Sequence, residues 1–216
     1  MYNIFISGSK PFEKPLLLYV DNSNIFIEGQ RLAAHKGESR FDLRIHFSNF
    51  LYMVSKGTFD FSEVVWGGST PPESDKVWKK LRKKGIKPDL IQRSSEGESE
   101  TVDHILQLSM HRHTRKYKKN KGTILLCTGD GKGYNKEEGF LYDIKGLVEE
   151  GWEFVLFSWT HCCHDELREF AKQKGVYIGL EFFYDQITFI KNGRRSNKVD
   201  LGIYNSLRID KKESLQ

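Results

Sequence analysis

Three aspartates lie at positions where side-chain oxygens commonly bind a cation. Asp21 follows the apolar run Leu16–Val20, and Asp130 lies three residues beyond the apolar run Thr123–Cys127. Asp103 lies near the start of a segment whose apolar spacing is typical of a helix. A carboxylate close to buried segments is costly unless it is paired or binds a metal. We therefore predict that the three aspartates bind Mg²⁺ or Mn²⁺, hard cations that prefer oxygen ligands.

Each aspartate taken alone has a simpler explanation. Helix-forming residues follow Asp21, so its side chain can serve as a helix N-cap. Asp103 lies in a predicted first helical turn, where a negative charge interacts favourably with the helix dipole. The metal interpretation depends on the combination, since Asp21 and Asp130 follow the two most hydrophobic predicted strands.

The segments that must position these aspartates alternate between strand and helix patterns. The predicted strands are Leu16–Val20, Glu63–Trp66, Ile86–Gln92, Thr123–Cys127 and Trp152–Phe157, with further strand character across Tyr177–Ile190, as one strand or two short ones. The predicted helices begin near Ser23, His46, Glu73, Thr101, Asn135 and Asp165. This alternation predicts an α/β fold of three layers, α/β/α, with a central, mostly parallel sheet. In such sheets ligands bind beyond the carboxyl ends of the strands, where Asp21 and Asp130 fall.

Two local patterns predict where elements begin and end. We expect the pair Gly67-Gly68 to end the second strand, because glycine is depleted in strands. Asn135 followed three residues later by Glu138 resembles a capping box that starts a helix.

The basic residues are clustered, and the chain carries a formal net charge of +5. One cluster spans 76–87, a second spans 112–121 and a third spans 191–198. A run of charge can be no more than the solvated face of a helix. Three clusters beside an acidic site favour a polyanionic partner instead. We predict a nucleic acid as the partner, with contacts from Arg112, Arg115, Lys116, Lys118 and Lys119.

Three short motifs together resemble those of a known nuclease family. The string VDNSNIF covers Val20–Phe26, the pair Val102-Asp103 opens a helix, and CTGDGKGY covers Cys127–Tyr134. In order and approximate separation they are similar to the three acidic motifs of NYN domains, in the PIN-like nuclease superfamily. Trp66-Gly67-Gly68-Ser69 resembles the turn after the second strand of that family, and Tyr184–Ile190 resembles its closing strand.

The resemblance implies a metal-dependent ribonuclease with a PIN-like, flavodoxin-like sheet. Asp21, Asp103 and Asp130 match the metal-binding acids of the family, and Asn24 matches its asparagine three residues after the first aspartate. Asn24 and Thr128 are expected to orient water or phosphate by hydrogen bonding. The reaction would be hydrolysis of an RNA phosphodiester, most readily in single-stranded RNA.

One residue departs from the family pattern. The third motif usually has a second acid two residues after the first, whereas this chain has Lys132 there. Lys132 can contact a phosphate, or it can weaken metal binding. The alternative function is therefore a catalytically weakened module of the same fold that binds RNA without cutting it.

Several other functions are disfavoured by the sequence. A phosphatase of the haloacid dehalogenase type needs a second aspartate where Ser23 stands. The run His161–His164 contains two adjacent cysteines but has no distant ligand pair of the spacing usual for zinc. Phosphate-loop and dinucleotide fingerprints are missing, so no nucleotide cofactor is predicted.

The remaining expectations concern compartment and organisation. Three cysteines do not suggest a disulfide framework, and no apolar run of about 18 residues predicts a membrane span. We expect a cytoplasmic protein without a membrane partner, and a homo-oligomer is left open. The predicted organisation is a lead-in at 1–15, the nuclease domain at 16–190 and a basic, mobile tail at 191–216.

Overall fold

The computed structural model describes residues 14–70, 76–92, 101–131 and 137–204. Its strands are β1 (Leu16–Asp21), β2 (Leu43–Ile45), β3 (Glu63–Thr70), β4 (Asp89–Gln92), β5 (Thr123–Cys127), β6 (Glu153–Ser158), β7 (Val176–Gly179) and β8 (Thr188–Ile190). Its helices are α1 (Asn22–His35), α2 (Phe47–Val54), α3 (Lys76–Arg82), α4 (Thr101–Lys116), α5 (Gly139–Glu149), α6 (Asp165–Lys174) and α7 (Tyr184–Ile187). A 3₁₀ turn, Leu180–Phe183, joins β7 to α7.

Six strands form a parallel sheet in the order β4-β3-β1-β5-β6-β7. Helices α1, α2 and α3 pack on one face, and α4, α5 and α6 pack on the other. The prediction of a three-layer α/β/α fold is therefore confirmed. The short strands β2 and β8 form a separate antiparallel pair.

The central strand β1 shows why these apolar runs become strands buried on both faces. Leu18 and Val20 belong to the core beneath α1, whereas Leu17 and Tyr19 belong to the core beneath α4, and all four side chains are fully buried. A strand covered on both faces needs apolar residues at every position, because alternate side chains point to opposite faces.

The strand order places a crevice at the middle of the sheet. Numbered within the sheet, the order is 3-2-1-4-5-6, one of the two common doubly wound orders, the other being the flavodoxin-like 2-1-3-4-5. After β1 the chain builds outward through β3 and β4, and it then returns to build β5, β6 and β7 on the other side. The carboxyl ends of β1 and β5 therefore flank the point where the order reverses, which is where such folds bind ligands.

The glycine pair in β3 does not end the strand, contrary to the sequence prediction. The strand runs through Gly67 and Gly68 to Thr70, because these glycines admit helices to both faces of the sheet. A Cβ built on Gly67 would lie 2.8 Å from Val102 Cγ1 of α4. A Cβ built on Gly68 would lie 2.5 Å from the Trp78 ring of α3.

Two other element predictions were wrong in detail. Helix α5 begins at Gly139, with Glu138 at the N-cap and no side-chain capping bond, so the predicted capping box does not start it. The segment Tyr177–Ile190 contains two strands, but α7 lies between them. The predicted closing strand therefore contributes only β8, which pairs with β2 outside the main sheet.

The chain stays packed against the domain beyond the boundary predicted at residue 190. The guanidinium of Arg194 holds the Glu38 carboxylate, with Nε 2.6 Å from Oε1. Tyr204 is only 1% exposed, and its ring lies 6.1 Å from that of Phe157. The predicted tail is thus part of the folded body through Tyr204, and residues 205–216 lie outside the described residues.

No helix in the described ranges is both long and apolar enough to cross a membrane.

Candidate functional site

Asp21 ends β1 and caps α1. Its Oδ1 accepts hydrogen bonds from the backbone N–H groups of Ser23, at 3.1 Å, and Asn24, at 3.0 Å. These bonds satisfy two of the amides that a helix start leaves unpaired. The simpler explanation of Asp21 as an N-cap is therefore correct, and the same bonds hold a carboxylate that is only 7% exposed in a fixed orientation.

Thr128 connects Asp21 to Asp130 across the crevice. Its hydroxyl donates to Asp21 Oδ2 at 3.2 Å and accepts from the backbone N–H of Asp130, also at 3.2 Å. Thr128 is fully buried, and its predicted contact with nucleic acid stays a prediction. Its role in the structure is to set the positions of the two aspartates on either side of it.

Asn24 fastens the same loop to α1. Its Oδ1 accepts a hydrogen bond of 2.9 Å from the backbone N–H of Gly129. The asparagine expected to orient water or phosphate thus has a structural task, since it joins the first motif to the third. Asp130, the next residue, is half-buried at the end of this loop.

Asp103 lies at the same edge of the sheet. Its neighbour Val102 packs over Gly67, and Gly67 is the residue of β3 that pairs with Asp21. The alternation along β1 directs Leu17 and Tyr19 towards α4, and Asp21 continues that series. The first turn of α4 and the end of β1 therefore converge on one face of the sheet, which brings Asp103 and Asp21 to the same region.

The basic residues predicted to hold RNA lie at the opposite edge. Lys116 forms an ion pair of 2.6 Å with Glu63, the first residue of β3, so the end of α4 lies at the amino ends of the strands. Arg115 is twelve residues after Asp103, which corresponds to roughly 18 Å along the helix. The exposed residues Arg112, Arg115, Lys116, Lys118 and Lys119 therefore do not surround the aspartates. The helix pattern alone could have revealed this separation.

Lys132, which departs from the family pattern, lies outside the described residues, as do Tyr134 and Asn135. The effect of Lys132 on the site therefore stays a prediction.

The loop after β6 contributes His161 and His164, which the sequence placed at the aspartate edge but for which a surface or capping role was preferred to a role in the site. His164 donates its backbone N–H to the carbonyl of Gly129 at 2.9 Å, and its ring lies against Gly131. Its Nδ1 is buried and has no hydrogen-bond partner among the described residues. His161 Nε2 in the same loop lies 3.2 Å from Glu28 Oε2 of α1. These histidines follow a strand at the aspartate edge, and that position was the available signal.

Of the nearby cysteines, Cys127 and Cys163 are buried and Cys162 is half-buried. Burial, followed by the negative charge of Glu28, raises the pKa of the Cys162 thiol to about 12. Burial also raises the pKa of Cys163 and of Cys127, which lies inside β5. All three cysteines are free thiols.

The fold and the site together define a doubly wound α/β protein with aspartates at its strand switch point. No protein-family model matches the sequence, and no curated protein matches it. The structure resembles the crystal structure of a protein of unknown function from Vibrio parahaemolyticus, with a TM-score of 0.51 and 16% sequence identity. The alignment covers 79% of this chain and 96% of that chain, and it supports the fold alone.

Proposed function

We propose that this protein is a metal-dependent ribonuclease that hydrolyses phosphodiester bonds of single-stranded RNA. Asp21, Asp103 and Asp130 are the proposed ligands of Mg²⁺ or Mn²⁺. The observation that carries the proposal is the pair of aspartates joined by the Thr128 hydroxyl at the strand switch point. The free cysteines are compatible with a cytoplasmic, reducing environment.

The chemistry of the donors fits the proposed metal. All three side chains are carboxylates, and hard divalent cations select oxygen ligands. Like charges at one edge repel one another, and a divalent cation between them offsets that repulsion. A bound Mg²⁺ or Mn²⁺ would polarise the phosphodiester and activate a water.

The protein's own contribution is to hold the carboxylates in place. The amides of Ser23 and Asn24 fix Asp21 Oδ1, and the buried Thr128 hydroxyl fixes Oδ2. The hydrogen bond from the Gly129 N–H to Asn24 Oδ1 holds the loop that carries Asp130 against α1. Such preorganisation matters because errors of about 1 Å in a site can cost about a hundredfold in rate. Attack of water in line would leave a 3′-hydroxyl and a 5′-phosphate.

The separation of the acidic and basic residues suggests a path for the RNA. One side of α4 is exposed from His104 through Leu108 and Arg112 to Arg115. This side leads from the Asp103 end of the helix to the basic residues at the other end. A single strand lying along it would reach both regions.

Changes of charge at the aspartates test the proposed function. Asp103→Asn and Asp130→Asn remove the charge with almost no change of volume, and we expect each to abolish Mn²⁺-dependent cleavage of a labelled single-stranded RNA. Asp165→Asn is the matched control, because Asp165 starts α6 at the same sheet edge and its side chain is 82% exposed. Cleavage by both aspartate variants at the wild-type rate would refute the proposal.

An RNA-binding module without catalysis is the second candidate. The hydrogen bonds that make Asp21 a helix cap give it a structural reason to be present without a metal. This candidate predicts metal-independent RNA binding and no turnover by the purified wild-type chain. Substitution of Lys118 and Lys119 by Ala would then weaken RNA binding. The slope of the logarithm of the binding constant against the logarithm of the salt concentration would become shallower by about 0.7 for each lost phosphate contact.

A further inference from the structure

Glu28, His161 and Cys162 form a second group of potential metal ligands. Their ligand atoms all lie within 4.8 Å of one another. Glu28 is on α1, and the other two residues lie in the turn after β6, more than 130 residues later in the chain. None of these residues belongs to the aspartate site described above.

The turn after β6 is fastened tightly to α1 on both sides of Glu28. The fully buried Trp159 donates its ring N–H to the carbonyl of Ile25 at 2.9 Å. Its ring also packs on Gly29, where an added Cβ would lie 3.3 Å from Trp159 Cζ2. The two contacts bracket Glu28 along α1, so His161 and Cys162 are carried on a rigid support facing it.

The Glu28 carboxylate is held so that one oxygen faces the histidine. Arg31 Nη1 donates to Oε1 at 2.6 Å, while Oε2 lies 3.2 Å from His161 Nε2. An outer partner that orients a ligating carboxylate in this way is usual in metal sites. The Glu28 side chain is 10% exposed and that of His161 is 37% exposed, so the group opens to solvent on the histidine side.

The separations suit a tetrahedral ion. Zinc binds sulfur, nitrogen and oxygen at distances that put neighbouring ligand atoms roughly 3.3–3.6 Å apart. The 3.2 Å between His161 Nε2 and Glu28 Oε2 is close to this range. The Cys162 sulfur lies within 4.8 Å of the other ligand atoms, so a shift of about 1.2 Å or less brings it into the range. A thiolate, an imidazole and a carboxylate together favour zinc over magnesium or calcium.

We propose that Glu28, His161 and Cys162 bind a zinc ion, with the fourth position open to water. Coordination replaces the thiol proton of Cys162, which passes to solvent. The site adjoins the loop that carries Asp130, because a Cβ on Gly129 would lie 3.2 Å from Cys162 Sγ. It nevertheless uses different side chains and a different metal from the proposed nuclease centre.

The adjacent cysteine provides a matched control. Cys163 is buried on the α6 side of the sheet, and its Sγ lies 3.7 Å from the carbonyl of His164. It does not belong to the group of ligand atoms around Glu28. Replacement of Cys163 by Ser therefore tests whether a thiol in this turn is enough, or whether the position of Cys162 is required.

The experiment is a titration of the metal-free full-length chain with Zn²⁺ by calorimetry, with Co²⁺ as a spectroscopic probe. We expect one Zn²⁺ per chain and a thiolate-to-cobalt charge-transfer band. Cys162→Ser should lower zinc affinity at least about a hundredfold, since even outer partners of metal ligands cost 10–100-fold. Cys163→Ser should bind zinc as the wild type does.

Three results would overturn the zinc site. These are failure of the wild type to bind Zn²⁺, a Co²⁺ complex without a thiolate band, and full zinc affinity in Cys162→Ser. If circular dichroism shows that Cys162→Ser is misfolded, His161→Gln, which changes the exposed ligand, replaces it in the test. Full zinc affinity in His161→Gln would also refute the site. RNA cleavage is measured separately, so failure of the nuclease proposal would not resemble failure of this one.

Discussion

Substitution of Asp21 by Asn and by Ala separates its role in the fold from its role in catalysis. Asn caps helices as well as Asp does, and its carbonyl can accept from the amides of Ser23 and Asn24. The lost charge at the helix start is worth about 1 kcal/mol or less. The Nδ2 of Asn cannot accept from the Thr128 hydroxyl, however, so the urea midpoint of Asp21→Asn should lie between those of the wild type and Asp21→Ala.

Asp21→Ala removes the cap and also the acceptor for a buried hydroxyl. Loss of a cap costs about 1 kcal/mol, and an unpaired buried donor costs about 1–3 kcal/mol. Thr128 is fully buried, so water cannot replace the lost acceptor. We expect a loss of about 2–4 kcal/mol in the free energy of unfolding, measured by urea denaturation.

The two variants should differ in stability but agree in activity. If Asp21 binds the metal, both should cleave single-stranded RNA at least about a hundredfold more slowly than the wild type with Mn²⁺. Mn²⁺ should also stabilise the wild type, by about 2.7 kcal/mol at a hundred times its Kd, and should stabilise Asp21→Asn much less. Wild-type cleavage by Asp21→Asn, together with lost cleavage by Asp21→Ala, would mean that Asp21 acts only as a cap.

Two further predictions concern the scaffold. Gly67→Ala should lower the free energy of unfolding by about 1–3 kcal/mol and slow RNA cleavage, because the added Cβ pushes α4 away from the sheet. Gly146→Ala, in an open part of α5, should instead raise the free energy of unfolding by about 0.5–1 kcal/mol. Equal effects of the two substitutions on urea denaturation would contradict the packing argument. The hydrogen bond from Arg194 lowers the pKa of the Glu38 carboxyl from its usual 4.5. The stabilisation from this ion pair is therefore fully present above pH 4.5, and it is lost as the pH falls through the lower pKa of Glu38 in the folded state. Arg194→Ala should therefore destabilise the protein at pH 7 but much less at pH 3, and a pH-independent difference in urea midpoints would contradict the linkage.

Local pattern was sufficient for the elements at the centre of the sheet. The strands that precede Asp21 and Asp130 are continuous apolar runs, and helix α6 (Asp165–Lys174) begins at the predicted residue, Asp165. In these segments the periodicity of side chains and the tertiary burial agree. The predicted fold class followed from the alternation of such segments, because the handedness of βαβ connections leaves few other arrangements.

Elements whose neighbours come from distant parts of the chain were predicted less well. Gly67 and Gly68 lie inside a strand because helices α3 and α4 need the space that a side chain would fill. The short strand β2 was not predicted, since it exists only by pairing with β8. Neither fact is visible in a local window of sequence.

The sequence by itself determined which carboxylates follow buried strands, and therefore which residues could meet at the carboxyl edge of a parallel sheet. Only the tertiary structure decided what their neighbours do. It buried Thr128 between two aspartates, put the basic end of α4 at the far edge, and brought Glu28 against His161 and Cys162. The physical reason is that strand periodicity and edge position are properties of a few consecutive residues, whereas contacts across the sheet depend on how separate elements pack.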